Sequence, residues 1–91
     1  MSERQPDRYY IELERRLRKL APLAEAVLPP EPFRWFMEYL DAGEYGLAVE
    51  VASEEMPAGD SSSAARQLAS GLLREAELMG LPDEVIKRLL P

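Results

Sequence analysis

Apolar residues recur every three or four positions along most of this chain, and prolines and glycines punctuate the pattern. Tyr10, Leu13, Leu17, Leu20, Ala24 and Val27 are spaced 3, 4, 3, 4, 3, which is the stripe of one helix face. Pro22 falls inside that stripe, and an interior proline costs about 3 kcal/mol through a lost hydrogen bond and a clash. A break or kink is therefore expected near Leu20–Ala21, followed by a short second piece to Leu28. Pro29-Pro30 ends it. Glu31-Pro32 is expected to open the next helix, with Phe33, Phe36, Met37 and Leu40 inside and Gly43 as its left-handed stop. A further helix is expected over Glu44 to Glu55, halted by Pro57. Asp60-Ser61-Ser62-Ser63 supplies N-caps for a long helix with Ala65, Leu68, Ala69, Leu72, Ala76 and Met79 inward and Gly80 at its end. Gly71 lies within it, either admitting a close neighbour or simply tolerated at about 1 kcal/mol relative to alanine. A last short helix after Pro82 carries Val85, Ile86, Leu89 and Leu90.

Leu (14) and Ala (11) dominate the apolar set, whereas Val and Ile total 6, so strands are disfavoured. The expected fold is all-α, a small bundle of about five short helices. At 91 residues, the chain is read as one domain over residues 1–91, with residues 1–6 as a flexible N-terminus.

Composition narrows the chemistry. With no Cys and no His, thiol nucleophiles, zinc-thiolate sites and imidazole bases are excluded. Glu50 and Glu54 could in principle ligate a hard cation, but carboxylate di-metal sites usually draw on Glu-x-x-His elements. No metal, no cofactor and no enzymatic activity are expected. The net charge of −6 argues against nucleic acid and against an anionic membrane surface, and no apolar run is long enough to span a bilayer. The polar start, Met1 to Pro6, does not resemble a secretion signal, and the chain is expected to stay in the cytoplasm.

Charge is unevenly spread. Between Arg34 and Arg66 there are seven acids (Glu38, Asp41, Glu44, Glu50, Glu54, Glu55 and Asp60) and no Lys or Arg. Arg15, Arg16, Arg18 and Lys19 cluster on the first helix. On a helical wheel at about 100° per residue, Tyr45, Ala48, Val49, Ala52 and Met56 share the inner sector. Glu50 and Glu54 fall on the far side, with Leu47 beside them and Val51 on the flank. Like charges four apart repel by about 0.2–0.5 kcal/mol, and Glu54 and Glu55 oppose the helix dipole. Two readings follow. The basic cluster of the first helix or water compensates the acids, or a basic partner protein does. On the second reading Glu38, Asp41, Glu44, Leu47, Glu50, Val51, Glu54 and Glu55 form the partner-binding face, with Leu47 as anchor and the acids as an orienting rim. Trp35 and Tyr39 lie off the core stripe of their helix, as exposed anchors or as covers for a neighbouring helix.

The segment from Trp35 to Glu50 joins an aromatic-apolar helix through Gly43-Glu44-Tyr45-Gly46-Leu47-Ala48 to an amphipathic one, and Glu77-Leu78-Met79-Gly80-Leu81 follows later. Together these resemble the MafI-type immunity proteins of bacterial polymorphic toxin systems, over roughly Phe33 to Leu81. The resemblance implies a non-catalytic inhibitor that occludes a cognate toxin, a nuclease with a basic cleft being one candidate. The alternative is a helical adaptor or regulatory subunit, homodimeric through its Leu-rich helices.

Overall fold

The computed structural model describes residues 7–91, so the expected flexible segment 1–6 lies outside the described residues. Those residues form six helices: α1 (Asp7–Lys19), α2 (Ala21–Val27), α3 (Pro30–Asp41), α4 (Tyr45–Glu55), α5 (Ser63–Met79) and α6 (Asp83–Leu89). The all-α bundle stands. The count exceeds five because the short piece that follows the break at Leu20 is a helix of its own, α2, with Pro22 in its first turn.

Most boundaries have local causes. Ser62 caps α5 by accepting a hydrogen bond from Ala65 N–H at 3.1 Å, and Asp60 Oδ1 in turn accepts from Ser62 N–H at 2.9 Å. That backbone donor holds the Asp60 carboxyl below its ordinary pKa. Gly80, with φ 68°, ends α5 in the left-handed conformation. The first helical position of α3 lies two residues earlier than the sequence suggested. Pro30, not Pro32, takes the first position, where the missing N–H costs no helical bond, and Pro32 is buried inside the first turn.

The longest helix, α5, packs against α1, α2, α4 and α6, while α3 packs most extensively on α4. The core between them contains Leu13, Leu17, Val27, Phe36, Leu40, Val49, Leu68, Leu72, Val85 and Leu89 with small residues at the crossings, among them Ala48, Ala52 and Ala76. Gly71 serves close approach. A Cβ built there would lie 2.6 Å from Cδ2 of Leu20, so the side chain at the α1–α2 joint rests directly on the α5 backbone. Trp35 and Tyr39 are half-buried, and Tyr39 packs against the core.

Two positions depart from the expected inner faces. Tyr10 ends the apolar stripe of α1 but is 52% exposed, its ring stacked on Tyr45 at the surface rather than packed in the core. Glu75 is 3% exposed, on the buried side of α5. Its Oε2 accepts from Arg16 Nε at 2.8 Å, and its Oε1 is buried with no hydrogen-bond partner among the described residues.

Candidate protein-binding face

The turn between α3 and α4 brings the candidate residues into place. Gly43 adopts φ 76°, allowing Glu44 N–H to bond Tyr39 O at 2.8 Å and Gly43 N–H to bond Leu40 O at 3.1 Å. This paired closure satisfies the last carbonyls of α3 and reverses the chain. It sets the first turns of α4 beside the N-terminal half of α1. Between them lies an open groove of about 430 Å³, lined by Tyr9, Tyr10 and Leu13 of α1, Gly43 and Glu44 of the turn, and Tyr45, Gly46, Leu47 and Glu50 of α4. Met79 and Leu81, at the end of α5, complete its wall.

The groove is aromatic and acidic. Tyr9 and Tyr10 meet edge to face, with centroids 5.0 Å apart and planes at 78°. Tyr10 and Tyr45 stack, with centroids 6.3 Å apart and planes at 26°. Tyr9, Tyr10 and Leu47 are 48%, 52% and 42% exposed, a concentration of apolar surface beside water.

Behind the rings runs a polar chain across three helices. The Tyr45 hydroxyl donates to Glu14 Oε1 at 2.7 Å, Arg18 Nε donates to Glu14 Oε2 at 2.7 Å, and Arg18 Nη2 donates to Asp41 Oδ1 at 2.8 Å. The Tyr45 hydroxyl, then the Arg18 guanidinium, hold the Glu14 carboxyl below its ordinary pKa of 4.5, and the same hydrogen bond raises the Tyr45 phenol above its own. Because the folded carboxyl is the more acidic one, its stabilisation is complete above about pH 4.5 and is lost as pH falls through the folded value. Urea unfolding measured from pH 6 to pH 3 is expected to show a steeper acid loss for the wild-type protein than for Glu14→Gln. Parallel curves would remove Glu14 from the acid transition.

The structure separates the sequence-derived face into three parts. Glu44, Leu47 and Glu50 line the groove, and neither acid makes a salt bridge among the described residues. Glu38 and Asp41, on α3, are paired with Arg34 at 3.6 Å and Arg18 at 2.8 Å. Val51 is half-buried and packs on the core. Glu54 lies at the other end of α4, 3.9 Å from Arg88 of α6, and Glu55 is half-buried beside it. The helix dipole conflict expected at Glu54 is thus eased from another helix. Of the basic cluster, only Arg18 reaches the acidic segment; Arg15 pairs with Glu12 and Arg16 with Glu75.

Sequence periodicity missed Tyr9, Met79 and Leu81 as lining residues and placed Tyr10 in the core. The adjacent tyrosines were the available signal, since two large rings about 100° apart at the start of a helix need a broad covering surface. A second groove, more apolar, runs between α5 and the C-terminal residues, lined by Met56, Ala69, Leu73, Leu89, Leu90 and others, with Arg66 and Arg88 at its rim.

Among the described residues, no three acidic side chains converge closely enough to hold a metal ion, and no helix is long and apolar enough to cross a membrane. No family model matches this chain, and no curated protein and no solved structure match it.

Proposed function

We propose that this protein is a non-catalytic binding domain that captures a basic protein, and that it acts in the cytoplasm as an immunity protein against a cognate toxin. The observation that carries the binding reading is the groove between α1 and α4. Exposed Tyr9, Tyr10 and Leu47 supply apolar anchors, and Glu44 and Glu50 beside them have no cation of this chain paired to them among the described residues. Aromatic anchors in a concave site with charges at the edge are what a specific protein interface uses. The negative field also speeds encounter with a cationic partner and raises the cost of docking an acidic one. The narrower assignment, toxin inhibition, rests on the resemblance of the Trp35–Glu50 and Glu77–Leu81 segments to immunity proteins. An inhibitor needs fast association and slow release and no reaction of its own.

Coexpression with a toxin encoded beside this gene tests the assignment: growth is expected with both proteins present, and continued killing rejects it. The purified pair tests the face. The double charge reversal Glu44→Lys/Glu50→Lys is expected to slow association about tenfold at low salt, with the difference shrinking at high salt. The monomer should remain folded, because neither side chain is tied to another element by a salt bridge. Unchanged association at low salt would move the interface elsewhere.

The second reading, a helical adaptor or regulatory subunit that forms a homodimer, is favoured by the other groove. Leu90 is 50% exposed at its edge, and the lining from Met56 to Leu89 is largely apolar. A concentration-dependent mass in sedimentation, lost in Leu90→Glu, would support that reading.

A further inference from the structure

We propose that the groove between α1 and α4 is a receptor for an arginine side chain of the partner protein, its guanidinium lying on the exposed face of Tyr10 and its N–H groups directed to the carboxylates of Glu44 and Glu50. This rests on the reading that a basic protein binds here and narrows it to one side-chain chemistry.

Three tyrosine rings meet in this groove, and their mutual geometry is set before any partner arrives. Tyr45 is anchored by its hydroxyl on Glu14, Tyr10 stacks on Tyr45, and Tyr9 meets Tyr10 edge-on. Such preorganisation lowers the ordering cost of binding. Tyr10 remains half exposed, so part of its π surface is open to a cation. Glu44 and Glu50 line the same groove, and the carboxylate behind the rings, Glu14, is already occupied by Arg18 and Tyr45.

The combination selects among ligands. A purely apolar side chain would desolvate two carboxylates without replacing their water, at a substantial cost. A bare metal ion lacks a converging third acid among the described residues. Lysine satisfies the charge, but its ammonium is compact and strongly hydrated. A guanidinium is flat, weakly hydrated and forked, so it stacks on a ring and hydrogen-bonds carboxylates at once.

The test is an NMR titration of the full chain, following backbone amides and tyrosine rings. The probe is an uncharged-ended nine-residue peptide of alternating Gly and Arg, and the comparison is the same peptide with Lys. Saturable shifts are expected at Tyr9, Tyr10, Glu44, Leu47 and Glu50, with the Lys peptide about threefold weaker or more. Tyr10→Leu is expected to weaken the Arg peptide by about threefold to fivefold, with Glu50→Gln also weakening it and Glu25→Gln, on exposed α2 surface, leaving it unchanged. Circular dichroism establishes that each variant is folded. Equal affinity for the two peptides, shifts centred on Glu54 and Glu55, or full binding by Tyr10→Leu would each overturn the proposal. The two readings fail separately. A toxin that binds tightly to Tyr10→Leu and Glu50→Gln would sink the arginine receptor alone. Selective peptide binding here without protection from the toxin would sink the immunity assignment alone.

Discussion

Arg16→Met is expected to lower the stability of the fold by about 1–3 kcal/mol, the cost of leaving a buried acceptor unpaired, below that of breaking a fully buried ion pair because the arginine is partly in water. Its partner Glu75 has a side chain only 4% accessible, whereas the Arg16 side chain is 35% accessible. The two halves of the pair are therefore unequal. Removing the arginine strands a buried carboxylate that already has one oxygen without a partner. Removing the carboxylate leaves a guanidinium that water can reach. Glu75→Leu should thus cost less than about 1 kcal/mol or stabilise, since it also removes the unpaired oxygen and fills similar space. The double variant Arg16→Met/Glu75→Leu should recover most of what Arg16→Met loses. Urea midpoints at constant slope measure all three, and equal losses for the two single variants would contradict the asymmetry.

Phe36→Ala is expected to be the most damaging single truncation, at about 3–5 kcal/mol. Phe36 is the largest fully buried side chain, at 0% exposed. For a domain of this length, total stability is on the order of 5–14 kcal/mol, so the variant should be partly unfolded at moderate temperature. Phe36→Leu, which keeps most of the volume, should lose far less. A thermal melt of Phe36→Ala that coincides with the wild-type melt would show that the ring is not central to the packing between α3 and its neighbours.

These expectations draw on features of unequal visibility in the sequence. The break at Leu20, the Ser62 cap and the stops at Gly43 and Gly80 were readable, because each depends on a few adjacent residues and a backbone rule. The inward faces of α3 and α5 were readable for a related reason, since periodicity names a face. It does not say how far the neighbouring helices extend along that face, and so Tyr10 was assigned to a core that stops short of it. Glu75 was hidden differently. It stands three residues after Leu72 and seven after Leu68, on the buried stripe, but a charged residue there reads as an interruption until its partner is known. That partner lies on α1, far away in the chain, and no local rule joins them.

The candidate face shows the same division. Glu44, Leu47 and Glu50 belong to one turn and the helix it starts; a wheel placed Leu47 beside Glu50, but also beside Glu54, and Glu44 entered through the run of acids alone. Pairing of Glu38 with Arg34 spans four residues and follows a helical rule. Pairing of Asp41 with Arg18 and proximity of Glu54 to Arg88 depend on how α1 and α6 are set against α3 and α4. Those two contacts contract the expected acidic face to its groove end.

The contact between Leu20 and Gly71 carries a wider meaning. A single isobutyl group at the bend between the first two helices occupies the space that an absent side chain leaves on α5. Bulk at one position is thus bound to smallness at the other, although the two are far apart in the chain. Any side chain at Gly71 would have to displace Leu20, the residue from which the leading helix runs out to its paired phenols.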